Sequence, residues 1–119
     1  MARIATKNVR EKPTAADGHR ALVMTLWPRG VKKSAVDAWY KELGTPRPLI
    51  RAWKSGRIRW PELRRGYFEY LKTPQARAAL TKLAGVARRR RVTLLCICPD
   101  ASRCHRSLLA RELQKRQRR

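Results

Sequence analysis

The run Val92 to Arg106, Val-Thr-Leu-Leu-Cys-Ile-Cys-Pro-Asp-Ala-Ser-Arg-Cys-His-Arg, gathers all three cysteines of the chain, one of its two histidines and two of its arginines. Thiolates are nucleophiles and soft metal ligands, imidazole titrates near neutral pH, and guanidinium groups bind oxyanions. Cys104-His105-Arg106 falls where a C-terminal helix should begin, with Asp100 or Ser102 as its cap. A thiol in a first helical turn beside Arg103 and Arg106 is biased toward thiolate by the helix dipole and by both cations. This makes Cys104 a candidate nucleophile or redox centre, with Arg106 holding an anionic substrate and His105 or Cys98 assisting. The plain alternative is a small buried thiol beside a capping turn. Neighbouring helical side chains diverge by about 100 degrees, so adjacency alone does not make His105 the base for Cys104.

Spacing narrows the other chemistries. Cys96 and Cys98 are two apart on a predicted strand and would face one side of a sheet. With Cys104 and His105 they offer up to four ligands of a kind zinc accepts, although the spacing lacks the usual Cys-x-x-Cys pairing. The expectation is therefore no obligatory cofactor, with zinc as the alternative. A tyrosine-phosphatase-type cradle does not fit: Cys98 to Arg103 leaves four intervening residues and Cys98 to Arg106 leaves seven. An anion pocket remains, built from Cys96, Cys98, Arg103, Arg106 and the free N–H groups of a helix start. Arg29 joins it if the strand before Trp27-Pro28-Arg29-Gly30 lies parallel and adjacent.

The elements needed to position these groups can be read from apolar period and turn residues. Residues 3 to 9 and 20 to 26 read as strands separated by Pro13 and Asp17-Gly18, and Val92 onward reads as a buried strand. Ser34 to Leu43 reads as a helix, with Val36, Trp39, Tyr40 and Leu43 at helical spacing. A short piece around Leu49 to Trp53 follows, then helices from Trp60-Pro61, from Thr73-Pro74 and through Leu108, Leu109 and Leu113. Apolar strands joined through several helices form a crossover, which implies parallel strands. The expected fold is a small single-domain α/β layered sheet over residues 1–119, with parallel strands flanked by helices and a basic tail from about 114–119.

Thirty Lys and Arg against eight Asp and Glu give a formal charge of +22 over 119 residues. Such a chain associates most readily with nucleic acid or another polyanion, and Arg88, Arg89, Arg90, Arg91, Lys115, Arg116, Arg118 and Arg119 are the candidate contacts. Arg57, Arg59, Arg64 and Arg65 stand near Trp53 and Trp60, an interleaving able to meet phosphates and stacked bases. A charge run is otherwise an ordinary solvated face. No signal-peptide core or membrane-length apolar run is present, so the expectation is a cytoplasmic protein without membrane association. An odd number of thiols agrees with a reducing compartment.

Arg20 through Lys33, containing Leu-Trp-Pro-Arg-Gly, together with Asp37 through Leu43, Trp60 through Tyr67 and Val92 through Leu95, resembles the domain of unknown function 488 family and its YeaO-like branch. The resemblance implies a compact cytoplasmic α/β domain and assigns no chemistry. Met24 and Thr25 stand where the family pattern carries Asp and Arg. Cys96 through Cys104-His105-Arg106 is similar to a Cys-to-Cys-His-Arg motif of another branch, so the chain combines features of two.

Overall fold

The computed structural model describes residues 4–117. Four strands, β1 (Ile4–Asn8), β2 (His19–Leu22), β3 (Ala38–Trp39) and β4 (Val92–Cys96), form one sheet in the order β1-β4-β2-β3, and every pairing is parallel. β4 lies between β1 and β2, in register Ile4 with Val92 and His19 with Val92. Strands covered on both faces need no polar alternation, and all five residues of Val-Thr-Leu-Leu-Cys are buried.

The four helices are α1 (Arg47–Lys54), α2 (Trp60–Tyr70), α3 (Pro74–Ala87) and α4 (His105–Gln117). Pro46, Pro61 and Pro74 open α1, α2 and α3, where a missing N–H costs nothing. The Glu62 carboxylate accepts from the Arg59 N–H at 3.0 Å and fixes the start of α2. One sheet face, carrying Ile4, Ala21, Val23, Val92 and Leu94, packs against α2, α3 and α4 in the main core. The opposite face carries Leu22 and Leu95 and is covered by the loop bearing Trp27, Val31 and Val36. On that face Asp17 is buried between Lys7 at 3.1 Å and Arg20 at 2.5 Å, and its carbonyl accepts from the Thr93 hydroxyl at 2.7 Å. Burial pushes the Asp17 carboxyl up, but hydrogen bonds from Thr14, Lys7 and Arg20 outweigh it and hold the group well below its usual range.

Two sequence expectations are corrected. Ser34 to Leu43 is not a helix: two 3-10 turns, Lys33–Ala35 and Lys41–Leu43, flank β3. The Asp37 N–H bonds the Arg20 carbonyl at 2.9 Å and the Tyr40 N–H bonds the Leu22 carbonyl at 2.8 Å, so the open edge of β2 satisfies groups that a helix would have satisfied internally. The apparent helical stripe splits, with Val36 on one sheet face and Tyr40 and Leu43 on the other. The strands at Leu22 and Cys96 also stop short of the apolar runs that suggested them. No helix among the described residues is long and apolar enough to cross a membrane.

Candidate thiol site

Cys96 is the last residue of β4, on the helix-facing side with Val92 and Leu94. The chain then turns through Cys98 and Asp100, whose carboxylate accepts from the Ser102 N–H at 3.0 Å, and re-enters at Cys104. Cys104 has extended backbone angles (φ −139°, ψ 142°) and its carbonyl accepts from the Ser107 N–H at 3.1 Å, so it occupies the capping position of α4. A strand end and a helix start are thereby brought face to face: Cys96 Sγ, Cys104 Sγ and one ring nitrogen of His105 lie within 4.8 Å of one another.

The ring of His105 is fixed from three sides. Its Nε2 bonds the Val23 carbonyl, Nδ1 lies 3.8 Å from Cys104 Sγ, and Tyr67 packs edge-on at 5.5 Å between centroids. A carbonyl only accepts, so Nε2 carries a proton, and in the neutral ring Nδ1 presents its lone pair to the thiols. Tyr67 is itself fixed, its hydroxyl donating to the Leu43 carbonyl at 2.6 Å.

The two inner thiols titrate as a pair, in opposite directions. The hydrogen bond from Cys104 lowers Cys96 to about 5 against the cost of burial, helped by His105, the Cys98 N–H and Arg106. Cys104, which donates to Cys96 and lies beside its charge, is raised. Helix-start reasoning favours the charge on Cys104; within the pair, the neighbouring thiol, His105 and Arg106 favour it on Cys96. Arg106 is 4% exposed, donates to the Cys96 carbonyl at 3.2 Å and, among the described residues, forms no ion pair with a carboxylate. It sits behind the thiols as their countercharge and does not line the cavity in front of them.

That cavity has a volume of about 760 Å³. Cys96, Cys104 and His105 form part of its wall, Met24 and Thr25 continue from β2, and Ile97 and Cys98 from β4. The cavity is also lined by α1, with Arg47, Ile50, Arg51 and Lys54, and by the touching pair Trp53 and Trp60, 5.5 Å between centroids.

Residues 4–117 match the family profile described as the Active DUF488-N3 subclade. The chain belongs to the DUF488 family. It is 31% identical to the uncharacterized protein YeaO of Escherichia coli (strain K12) over 90% of this chain and 93% of that one. It is also 31% identical to the uncharacterized proteins Rv3073c of Mycobacterium tuberculosis (strain H37Rv) and Mb3100c of Mycobacterium bovis, over 96% of each chain compared. No solved structure matches it.

In this DUF488 chain Met24 and Thr25, which end the Leu-Val-Met-Thr run before Leu26, line the cavity. The remaining sequence-derived candidates fall in several places. Cys98 lies outside the inner cluster, its thiol directed at the carbonyls of Asp100 and Arg103 at 3.6 Å each, because β4 ends before it. Arg103 lines the cavity. Arg29 does not, although β2 and β4 are parallel neighbours: Trp27 turns onto the opposite sheet face, its indole N–H bonding the Val31 carbonyl at 2.8 Å. Arg57, Arg59, Arg64 and Arg65 are exposed and off the cavity wall, where Arg47 and Arg51 stand instead. Arg88 to Arg91 follow α3 and are exposed; Lys115 is exposed, Arg116 faces Glu112 at 3.7 Å, and Arg118 and Arg119 lie outside the described residues. Sequence reasoning missed the Val23 carbonyl, the contact of Tyr67 with His105 and the cations of α1, whose segment it read as a short piece around Leu49 to Trp53. The i, i+4, i+7 spacing of Arg47, Arg51 and Lys54 was the available signal for α1.

Proposed function

We propose that this DUF488 protein is a cytosolic thiol-dependent enzyme acting on an anionic substrate, with Cys96 as nucleophile. The observation that carries the reading is the convergence of Cys96 Sγ, Cys104 Sγ and His105 within 4.8 Å on the wall of the cavity. Attack by the Cys96 thiolate forms a bond from sulfur to an electrophilic carbon as the bond to the leaving group breaks, and the leaving group takes the Cys104 proton. Water deprotonated toward His105 Nδ1 then releases the product, regenerating the Cys96 thiolate and returning a proton to Cys104. The matching subclade's description as active agrees with an enzyme. Mass spectrometry after brief chloroacetamide treatment at pH 6 should find the adduct on Cys96; labelling confined to Cys98 would end the nucleophile reading.

A soft metal is the second reading, because Cys96, Cys104 and His105 Nδ1 are three donors of the kind zinc takes, with the cavity open for a fourth. His105 Nε2, held by a carbonyl, is the usual outer support of such a ligand. The buried Arg106 cation beside Cys96 argues against it. Elemental analysis of freshly purified protein decides: about one equivalent of zinc supports the metal, and none removes it.

The basic surface supports association with nucleic acid or another polyanion. Arg88 to Arg91 are exposed and, among the described residues, none of them enters an ion pair. Gln117 donates to the Ala87 carbonyl at 3.3 Å, which brings the end of α4, with Lys115, beside this run. These cations lie before β4 and the thiol cluster at its far end, about 15 Å apart along the strand.

A further inference from the structure

We propose that the cavity in front of Cys96 takes a planar aromatic ring bearing a phosphate, the chemistry of a mononucleotide; this assigns a substrate class to the thiol site and rests on that reading. The walls carry two kinds of recognition. Trp53 and Trp60 are half-buried, in contact at 5.5 Å and tilted by 53°, and both face the cavity. With Ile50, Leu63 and Met24 they make an apolar region suited to a flat ring, since aromatic side chains stack on any base.

The charge on the same cavity is one-sided. Arg47, Arg51 and Lys54 recur at i, i+4 and i+7 and share one stripe of α1, and Arg103 approaches from the turn after β4. Like charges at i, i+4 oppose the helix. Among the described residues none of the three α1 cations enters an ion pair, and the carbonyl end of α1 offsets part of that cost for Arg51 and Lys54 alone, in its last turn. The single carboxylate on the wall, Asp100, accepts from Ser102 at 2.6 Å and 3.0 Å and serves its own turn. Several unpaired cations from two elements suit a doubly charged oxyanion better than a single carboxylate. A volume of about 760 Å³ is ample for a ring, a sugar and a phosphate. The thiols and His105 line the same cavity, which sets the Cys96 sulfur against the bound molecule.

The test is calorimetric titration of the full chain in 150 mM salt, where attraction by net charge alone is screened beyond about 8 Å. The probes are adenosine monophosphate, adenosine (ring without phosphate) and ribose 5-phosphate (phosphate without ring). We expect the monophosphate to bind at least about tenfold more tightly than either half, and the exposed double variant Arg51→Gln/Arg103→Gln to lose about tenfold or more. Trp53→Phe should reduce the accompanying quenching of indole fluorescence, and bound monophosphate should slow alkylation of Cys96. Equal affinity for all three probes, retained affinity in the arginine variant, or an unchanged Cys96 rate at saturation overturns the assignment. The two readings fail separately. Tight monophosphate binding with a Cys96 that labels like an ordinary thiol removes the nucleophile and leaves the ligand class. Fast labelling of Cys96 with no monophosphate binding removes the ligand class and leaves the nucleophile.

Discussion

The proton shared by Cys96 and Cys104 gives a labelling profile that no isolated thiol would show. Held near 5 instead of the ordinary value of 9.0, Cys96 is about nine-tenths ionised at pH 6, whereas an ordinary thiol is ionised to about one part in a thousand. Nucleophilicity falls with basicity, and a Brønsted slope of about 0.45 over that interval costs roughly sixtyfold in intrinsic rate. The net advantage at pH 6 is therefore about fifteenfold over a cysteine peptide, it vanishes near about pH 7.2, and the peptide is about thirtyfold faster at pH 9. Limited access to a buried sulfur lowers every Cys96 rate by one factor, which reduces its ratio to the peptide and moves the crossover to lower pH but leaves the Cys96 midpoint intact. Site-resolved iodoacetamide kinetics from pH 4 to 9 should place the Cys96 midpoint near 5. Cys104→Ala removes the donor and moves that midpoint upward, while Cys104→Ser, which keeps a donating hydroxyl, restores most of the effect. A Cys96 rate rising through pH 8 to 9 with the peptide, or a midpoint indifferent to Cys104→Ala, refutes the shared-proton account.

Asp17→Asn leaves Lys7 and Arg20 without their buried partner and should cost about 3–5 kcal/mol in urea denaturation. Because the folded-state pKa of Asp17 is depressed, its contribution is complete above the unfolded value near about 4 and is lost as pH falls below it, so wild type and Asp17→Asn should converge in stability in acid. Gly18→Ala should destabilise by about 2 kcal/mol or more, since φ is +65° and an added Cβ would lie 2.3 Å from the Arg91 carbonyl oxygen; a thermal midpoint unchanged from wild type contradicts this. Duplex DNA affinity should fall with log salt at a slope near about −5 if about six phosphates are met, and Arg89→Gln/Arg90→Gln should flatten it by nearly two; absence of binding at low salt removes the polyanion reading.

The parallel sheet and most helices were legible because their signals were local. Val92 to Cys96 is apolar and β-branched enough to read as a covered strand, and Pro61 and Pro74 mark helix starts by backbone chemistry alone. Ser34 to Leu43 misled because its apolar spacing fits a helix, whereas the open edge of β2 decides its conformation from 17 or more residues away in sequence, at Arg20 N–H to Asp37 (2.8 Å) and Leu22 carbonyl to Tyr40 (2.8 Å). The site was legible to the level of its segment: Cys96, Cys104 and His105 do converge. Which thiol carries charge was not, because that depends on how a strand end meets a helix cap and on Arg106 folding inward. Arg29 shows the converse limit, since strand adjacency fixes where a turn begins and leaves open which face it covers.

The inward placement of Arg106 leads to the sharpest remaining expectation. A guanidinium that is 4% exposed and, among the described residues, has Nε unpartnered and donates to the Cys96 carbonyl is costly unless an anion lies close. Among the described residues no carboxylate fills that role, and the Cys96 thiolate is the anion whose titration Arg106 affects. Stability and reactivity are thus two aspects of one interaction: the cation that keeps the sulfur charged is itself kept inside by that charge. A double-mutant cycle between Cys96→Ser and Arg106→Met isolates it. Arg106→Met alone should raise the Cys96 labelling midpoint, and combined with Cys96→Ser it should relieve the stranded cation that Cys96→Ser alone leaves behind. The coupling should be about 1–3 kcal/mol at pH 7 and should fade as pH falls through about 5, where the thiolate is protonated. A coupling that keeps its full size at pH 4 would mean that the guanidinium is held by packing and by the Cys96 carbonyl alone, and that the charge on the sulfur has another source.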